Sequence, residues 1–230
     1  MITLPTNPQP SVRPRLLVVA VFAVAMAWVE SAVVFYLRRL VDRIDPYQPN
    51  PLPMAGDIGG AELIREAATM VMLLAVGWLA GRTWRARLGF FVAAFGVWDI
   101  FYYIFLAALT GWPRSVFDWD ILFLLPLPWW GPVLAPVLIA LLMIAGGVLL
   151  SFNDERAGPP LWPAGWTLVL GGIGVVLALE VFMADAIRAL QRGESLQAVL
   201  PQSFNWPVFL VAWGLMAVPA IGLARQHFAR

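Results

Sequence analysis

The run "LLVVAVFAVAMAWVESAVVFYL", residues 16–37, carries one charged side chain in 22 positions. About 20 mainly apolar residues in a helix cross the ~30 Å hydrocarbon core of a bilayer. Five more runs approach or meet that length, at about 64–80, 88–110, 132–152, 166–186 and 207–223. Only 13% of the chain is charged and 61% is hydrophobic, whereas a soluble domain carries about 25% charged residues. So little charge cannot cover so much apolar surface with a polar shell. The expected fold is all-α, a polytopic integral membrane bundle of about six transmembrane helices.

The domain organisation follows from the same runs. Residues 1–15, "MITLPTNPQPSVRPR", read as a polar, Pro-rich N-terminal leader. Residues 16–224 read as a single six-helix transmembrane domain, and 225–230 as a short tail. The first run is long enough to span, so it reads as a retained helix rather than a cleaved signal.

One stretch resists this scheme. "DWDILFLLPLPWWGPVLAPVLIALL", residues 118–142, is oily yet contains Pro126, Pro128, Pro132 and Pro136. As one helix, residues 121–150 would be about 45 Å long, half as long again as a ~30 Å core, and the prolines break it. The expected break is at Gly131-Pro132, with Pro132 in the first turn of the fourth crossing, where its missing N–H costs nothing. The preceding "ILFLLPLPWW" is too short to span and is expected to be an interfacial or re-entrant segment. Trp129 and Trp130 are then expected at headgroup depth.

Absences exclude much chemistry. The chain has no Cys and a single His, His227, and all 15 of its basic residues are Arg. Iron–sulfur, retinal Schiff-base, bis-His haem and HExxH zinc sites all lack their ligands. No cofactor is expected, although an oxygen-rich site for a hard cation such as Ca²⁺ or Mg²⁺ stays open. No nucleic-acid partner is expected; the expected partners are the lipid bilayer and, through loops, a second copy or a larger membrane complex.

Six crossings put both termini on one side. The acid-free "RTWRAR" loop, residues 82–87, favours a cytoplasmic location for them, although the arginines divide eight to seven between the two sides. The longer loops 38–63, 111–131 and 187–206 then share the outer side with Trp112, Trp119, Trp129, Trp130 and Trp206. These Trp/Pro-rich loops read either as a structured cap and docking surface or as interfacial anchors. "GWLAG", with Gly77 and Gly81, is a candidate close-packing motif.

Carboxylates inside spanning helices are costly and by default mark functional sites. Glu30, Asp99 and Glu180 are the candidate proton- or cation-handling groups, with Glu66 at an entrance. Tyr102 and Tyr103, at i+3 and i+4 from Asp99, are placed to support it. Glu62 and Arg65 flank the entrance. The competing reading is structural: Asp99 hydrogen-bonded to a tyrosine, Glu62 and Glu66 salt-bridged to Arg65, and Glu30 and Glu180 each satisfied by an interhelical partner. "ESAVVFYLRRL" from Glu30 and "EVFMADAIRAL" from Glu180 share a Glu-to-Arg spacing of eight residues. That spacing places the two glutamates at similar depth and hints at duplication.

Around "WDIFYY", "GWPRS" and "WDILFLLPLPWWGPVLAPV" the chain resembles a family of bacterial multi-pass membrane proteins with no assigned activity. The resemblance spans roughly residues 60–150. It implies a bacterial inner (cytoplasmic) membrane and no particular chemistry.

The functional expectation is a small transporter or channel that handles protons or cations through intramembrane carboxylates. A non-catalytic subunit of a larger membrane complex is the alternative. A carboxylate-based intramembrane enzyme is the third reading, and the missing His and Cys place it last.

Overall fold

The structure is a computed structural model that describes residues 11–48, 57–124, 126–196 and 199–229. Six helices dominate it: α1 (Val12–Leu40), α2 (Asp57–Ala80), α3 (Trp84–Thr110), α4 (Leu134–Ser151), α5 (Gly165–Arg192) and α6 (Trp206–Phe228). All six are long and apolar enough to cross a membrane, by length and composition. The helices outrun the apolar runs because polar residues extend their ends. Thus α1 takes Arg13 and Arg15 out of the expected leader, whose residues 1–10 lie outside the described residues.

Helix α3 lies between α1, α2 and α4, while α5 pairs with α6, which also packs on α4. The α3–α4 crossing is made possible by missing side chains. A Cβ on Gly147 would stand 2.5 Å from the Ala93 backbone nitrogen and 2.6 Å from the Gly89 carbonyl. Backbones this close maximise van der Waals contact between the two helices. The "GWLAG" glycines serve the same purpose where α2 turns into α3: a Cβ on Gly77 would meet the Arg87 carbonyl at 2.7 Å. Thr83 caps α3, its hydroxyl accepting from the Ala86 N–H at 3.2 Å.

The two ends of the bundle are tied differently. At one, the Asp154 carboxylate accepts from Arg15 at 2.7 Å and from the Arg82 and Thr83 backbone nitrogens at 2.8 Å each. That acid joins the starts of α1 and α3 to the end of α4. At the other end the longer loops meet. The Tyr47 hydroxyl donates to the Pro201 carbonyl at 2.7 Å, and its ring stacks on Trp119, which in turn contacts Phe204. The described parts of the three expected outer loops therefore form one cap.

The Pro-rich stretch is a short antiparallel hairpin, a structure the hydropathy pattern did not name. Strands β1 (Trp119–Phe123) and β2 (Trp129–Pro132) pair with Asp120 opposite Gly131 and Ile121 opposite Trp130. The prolines rule out a helix, and the backbone polar groups of an apolar segment still need partners. Pairing the segment with itself supplies them. One expectation is corrected here. Pro132 ends β2, and α4 starts at Leu134, leaving Pro136 in the first turn. Trp130 is 1% exposed and packs into the protein rather than outward.

Candidate functional site

The α1, α2, α3 and hairpin residues converge on a polar cluster below the cap. Glu30 on α1 is 8% exposed. It forms an ion pair with Arg65 of α2 and accepts from the Thr69 hydroxyl at 3.2 Å. Arg65 also clasps Glu62, three residues earlier, through Nε at 3.0 Å and a terminal nitrogen at 2.8 Å. The absence of a local basic partner for Glu30 in sequence is thus made good by a neighbouring helix.

A second buried pair lies beside the first. Arg38, from the last turn of α1, bonds Asp120 of β1 at 3.0 Å and stands 4.2 Å from the centre of the Trp112 ring. Tyr103 lines the same cavity beside Asp120. Burial pushes the Asp120 carboxyl above the usual carboxylate range, while the Arg38 guanidinium and the hydrogen bonds pull it back. Asp120 and Thr69 were not singled out from sequence, and Arg38 stood out only for its spacing of eight residues from Glu30. Arg38 reads as an ordinary positive charge at a helix end, and Asp120 becomes central only once the hairpin folds back over the bundle.

Glu66 is bound differently. It forms no ion pair within 4 Å among the described residues. Instead its carboxylate accepts from the Leu124 backbone N–H at 3.3 Å, hooking the hairpin onto α2. Asp99 has neither ion pair nor hydrogen bond among the described residues, although Tyr102 and Tyr103 follow it on α3. The Tyr102 carbonyl instead accepts from Ser31 of α1 at 3.0 Å.

These groups surround a cavity of about 190 Å³, lined by Glu30, Arg65, Glu66, Asp99, Tyr102 and Asp120 on its polar side. Phe95, Trp98, Trp129 and Phe182 contribute its aromatic walls. A second hollow of about 130 Å³ runs towards the cap, where Arg38, Arg43 and Pro46 line it. Burial pulls the Arg43 guanidinium below its ordinary value. Arg65, Glu66, Tyr102 and Asp120 line both spaces and form the partition between them. Among the described residues, no three carboxylates converge as ligands of one metal ion.

The structure therefore assembles Glu30, Glu66 and Asp99 with Tyr102, Tyr103 and Arg65 around one cavity, and Glu62 beside its partition. It does not bring Glu180 to them. Glu180 lies on the exposed face of α5 with no ion pair among the described residues. Its spacing to Arg188 copies that of Glu30 to Arg38, yet Glu30 and Arg38 are buried while Glu180 and Arg188 are exposed. Compared with protein-family models, curated proteins and solved structures, the chain has no match.

Proposed function

We propose that the chain is a six-span integral membrane protein that handles cations, protons among them, through the carboxylate-lined cavity between α1, α2, α3 and the hairpin. The membrane setting is supported by an outer surface rich in apolar side chains. Val18, Leu79, Val169 and Val176 are each more than 60% exposed, and such a surface is at home only in lipid. The cation reading is carried by one observation: the charge inside the cavity does not balance. Glu30 is matched by Arg65 and Asp120 by Arg38, which leaves Glu66 and Asp99 without a cation partner among the described residues. Both are half-buried among apolar side chains, where a carboxylate without a counter-charge is disfavoured, and a proton or a bound cation would supply the missing charge. The hollow beneath the cap supplies an approach, and Arg65 and Glu66 stand where it meets the inner cavity.

The test is uptake by the purified chain reconstituted in sealed vesicles, with a proton-sensitive dye and with labelled cations. Asp99→Asn is expected to abolish uptake while the protein remains folded. Glu180→Gln, far from the cavity, is expected to retain it. Normal uptake in Asp99→Asn sinks this reading.

A second reading, membership of a larger membrane assembly, is favoured by Glu180 itself. An acid exposed midway along a spanning helix costs about 2.5–3.5 kcal/mol on insertion scales unless something covers it. A native gel of gently solubilised membranes checks this. A large species that Glu180→Gln disperses supports the assembly, and a monomer-sized band removes it.

A further inference from the structure

The cation cavity shares a wall with a hollow of opposite character. This groove, about 310 Å³ in volume, lies beside α2 and is lined by Ala67, Met70, Phe95, Phe123 and Trp129, with Glu66 at its margin. Glu66, Phe95, Phe123 and Trp129 line both the groove and the cavity, so the two share a wall. Ala67 is exposed on the surface of α2, so the groove opens on the side of the bundle and not through the cap. An apolar groove beside a charged cavity suits a ligand with an apolar part.

We infer that the site takes an amphiphilic organic cation, an ammonium headgroup carrying a single alkyl chain that enters sideways from the lipid. This rests on the cation-handling reading of the same cavity and specifies its ligand. The headgroup lies by the unmatched carboxylates of Glu66 and Asp99, in a cavity that Trp98 and Trp129 also line, and aromatic rings favour ammonium groups. The chain lies along Met70, Phe95 and Phe123. Charge selects the sign of the headgroup. The absence of three convergent carboxylates among the described residues favours an organic ammonium, held by charge and rings, over a multidentate metal. The Glu66 bond to Leu124 holds the hairpin as the wall common to both spaces.

The experiment uses the full chain in nanodiscs of phosphatidylglycerol, whose headgroups carry no ammonium. Binding of radiolabelled n-alkylammonium ions, from ethyl to octyl, is measured with empty discs subtracted, alongside Asp99-dependent uptake in vesicles. The expected Kd falls by about fourfold per added methylene, the factor for burying one CH₂. Asp99→Asn raises Kd about tenfold or more across the series. Met70→Trp and Ala67→Trp, two independent ways of filling the groove, flatten the chain-length dependence. A Kd that is independent of chain length, or a series equally steep in a folded groove-filled variant, overturns the tail site and leaves the cation reading standing. Uptake of protons or metal cations with no alkylammonium binding does the same. Neither binding nor uptake overturns both.

Discussion

Asp99 and the Arg38–Asp120 pair lie in the same neighbourhood, but their energetics are opposite. Arg38 and Asp120 have each other, with side chains 10% and 1% exposed. Removing one member of a buried pair strands the other and costs about 3–5 kcal/mol. Arg38→Ala is therefore expected to lower the thermal unfolding temperature sharply, by CD in a non-ionic detergent. Asp99→Asn breaks no hydrogen bond or ion pair among the described residues, so the same melt is expected to stay in place or move up. That combination, a stable variant that no longer takes up cations, separates a working carboxylate from a structural one. If Asp99→Asn instead melts many degrees lower, Asp99 is part of the scaffold.

At the scale of elements, close approach fixes where helices cross. Gly147 sits on the Ala93 and Gly89 backbones, whereas Gly172 on α5 has nothing within 4 Å of its absent Cβ. Gly147→Leu is expected to force α4 off α3 and destabilise the protein by about 1–3 kcal/mol or more. Gly172→Leu is expected to be nearly silent, and paired melting curves check both. The hairpin adds a second point about elements. Its strands form because prolines deny it a helix, and its position is set by Glu66, which accepts from Leu124, and by Asp120, which is bound to Arg38. Glu66→Ala removes one of these ties. The expected result is faster hydrogen exchange at the hairpin amides than in the native chain, with α5 and α6 amides unchanged.

For the whole molecule, the alternation of six helices gathers the loop after α3 with the cap and the loop after α4 with the opposite end. The chain contains no Cys, so single cysteines report topology without background. Ser115 and Gly158 are both exposed, one in each loop. Ser115→Cys and Gly158→Cys are expected to react with an impermeant thiol reagent from opposite sides of the membrane, with Ser115→Cys reactive from outside the cell. Labelling of both from the same side is incompatible with six crossings. The reverse assignment would invert the orientation argued from "RTWRAR" and leave the fold untouched.

The sequence by itself determined six helices, because hydropathy is a local property that accumulates along each run. It also determined that the oily segment before α4 is no continuous helix, because proline acts on its own backbone. It picked out Glu30, Glu66 and Asp99, since an acid in an apolar run is conspicuous wherever it ends up. The tertiary structure decided which of those acids meet. Glu30 and Glu180 have the same spacing to an arginine and differ only in which way their helix face is turned, a matter of packing between segments remote in sequence. Likewise Arg65 reaches Glu30 across two helices, and Arg38 reaches Asp120 over 82 positions of chain. Such pairings depend on where helices cross and how a hairpin folds back, and no local pattern encodes either.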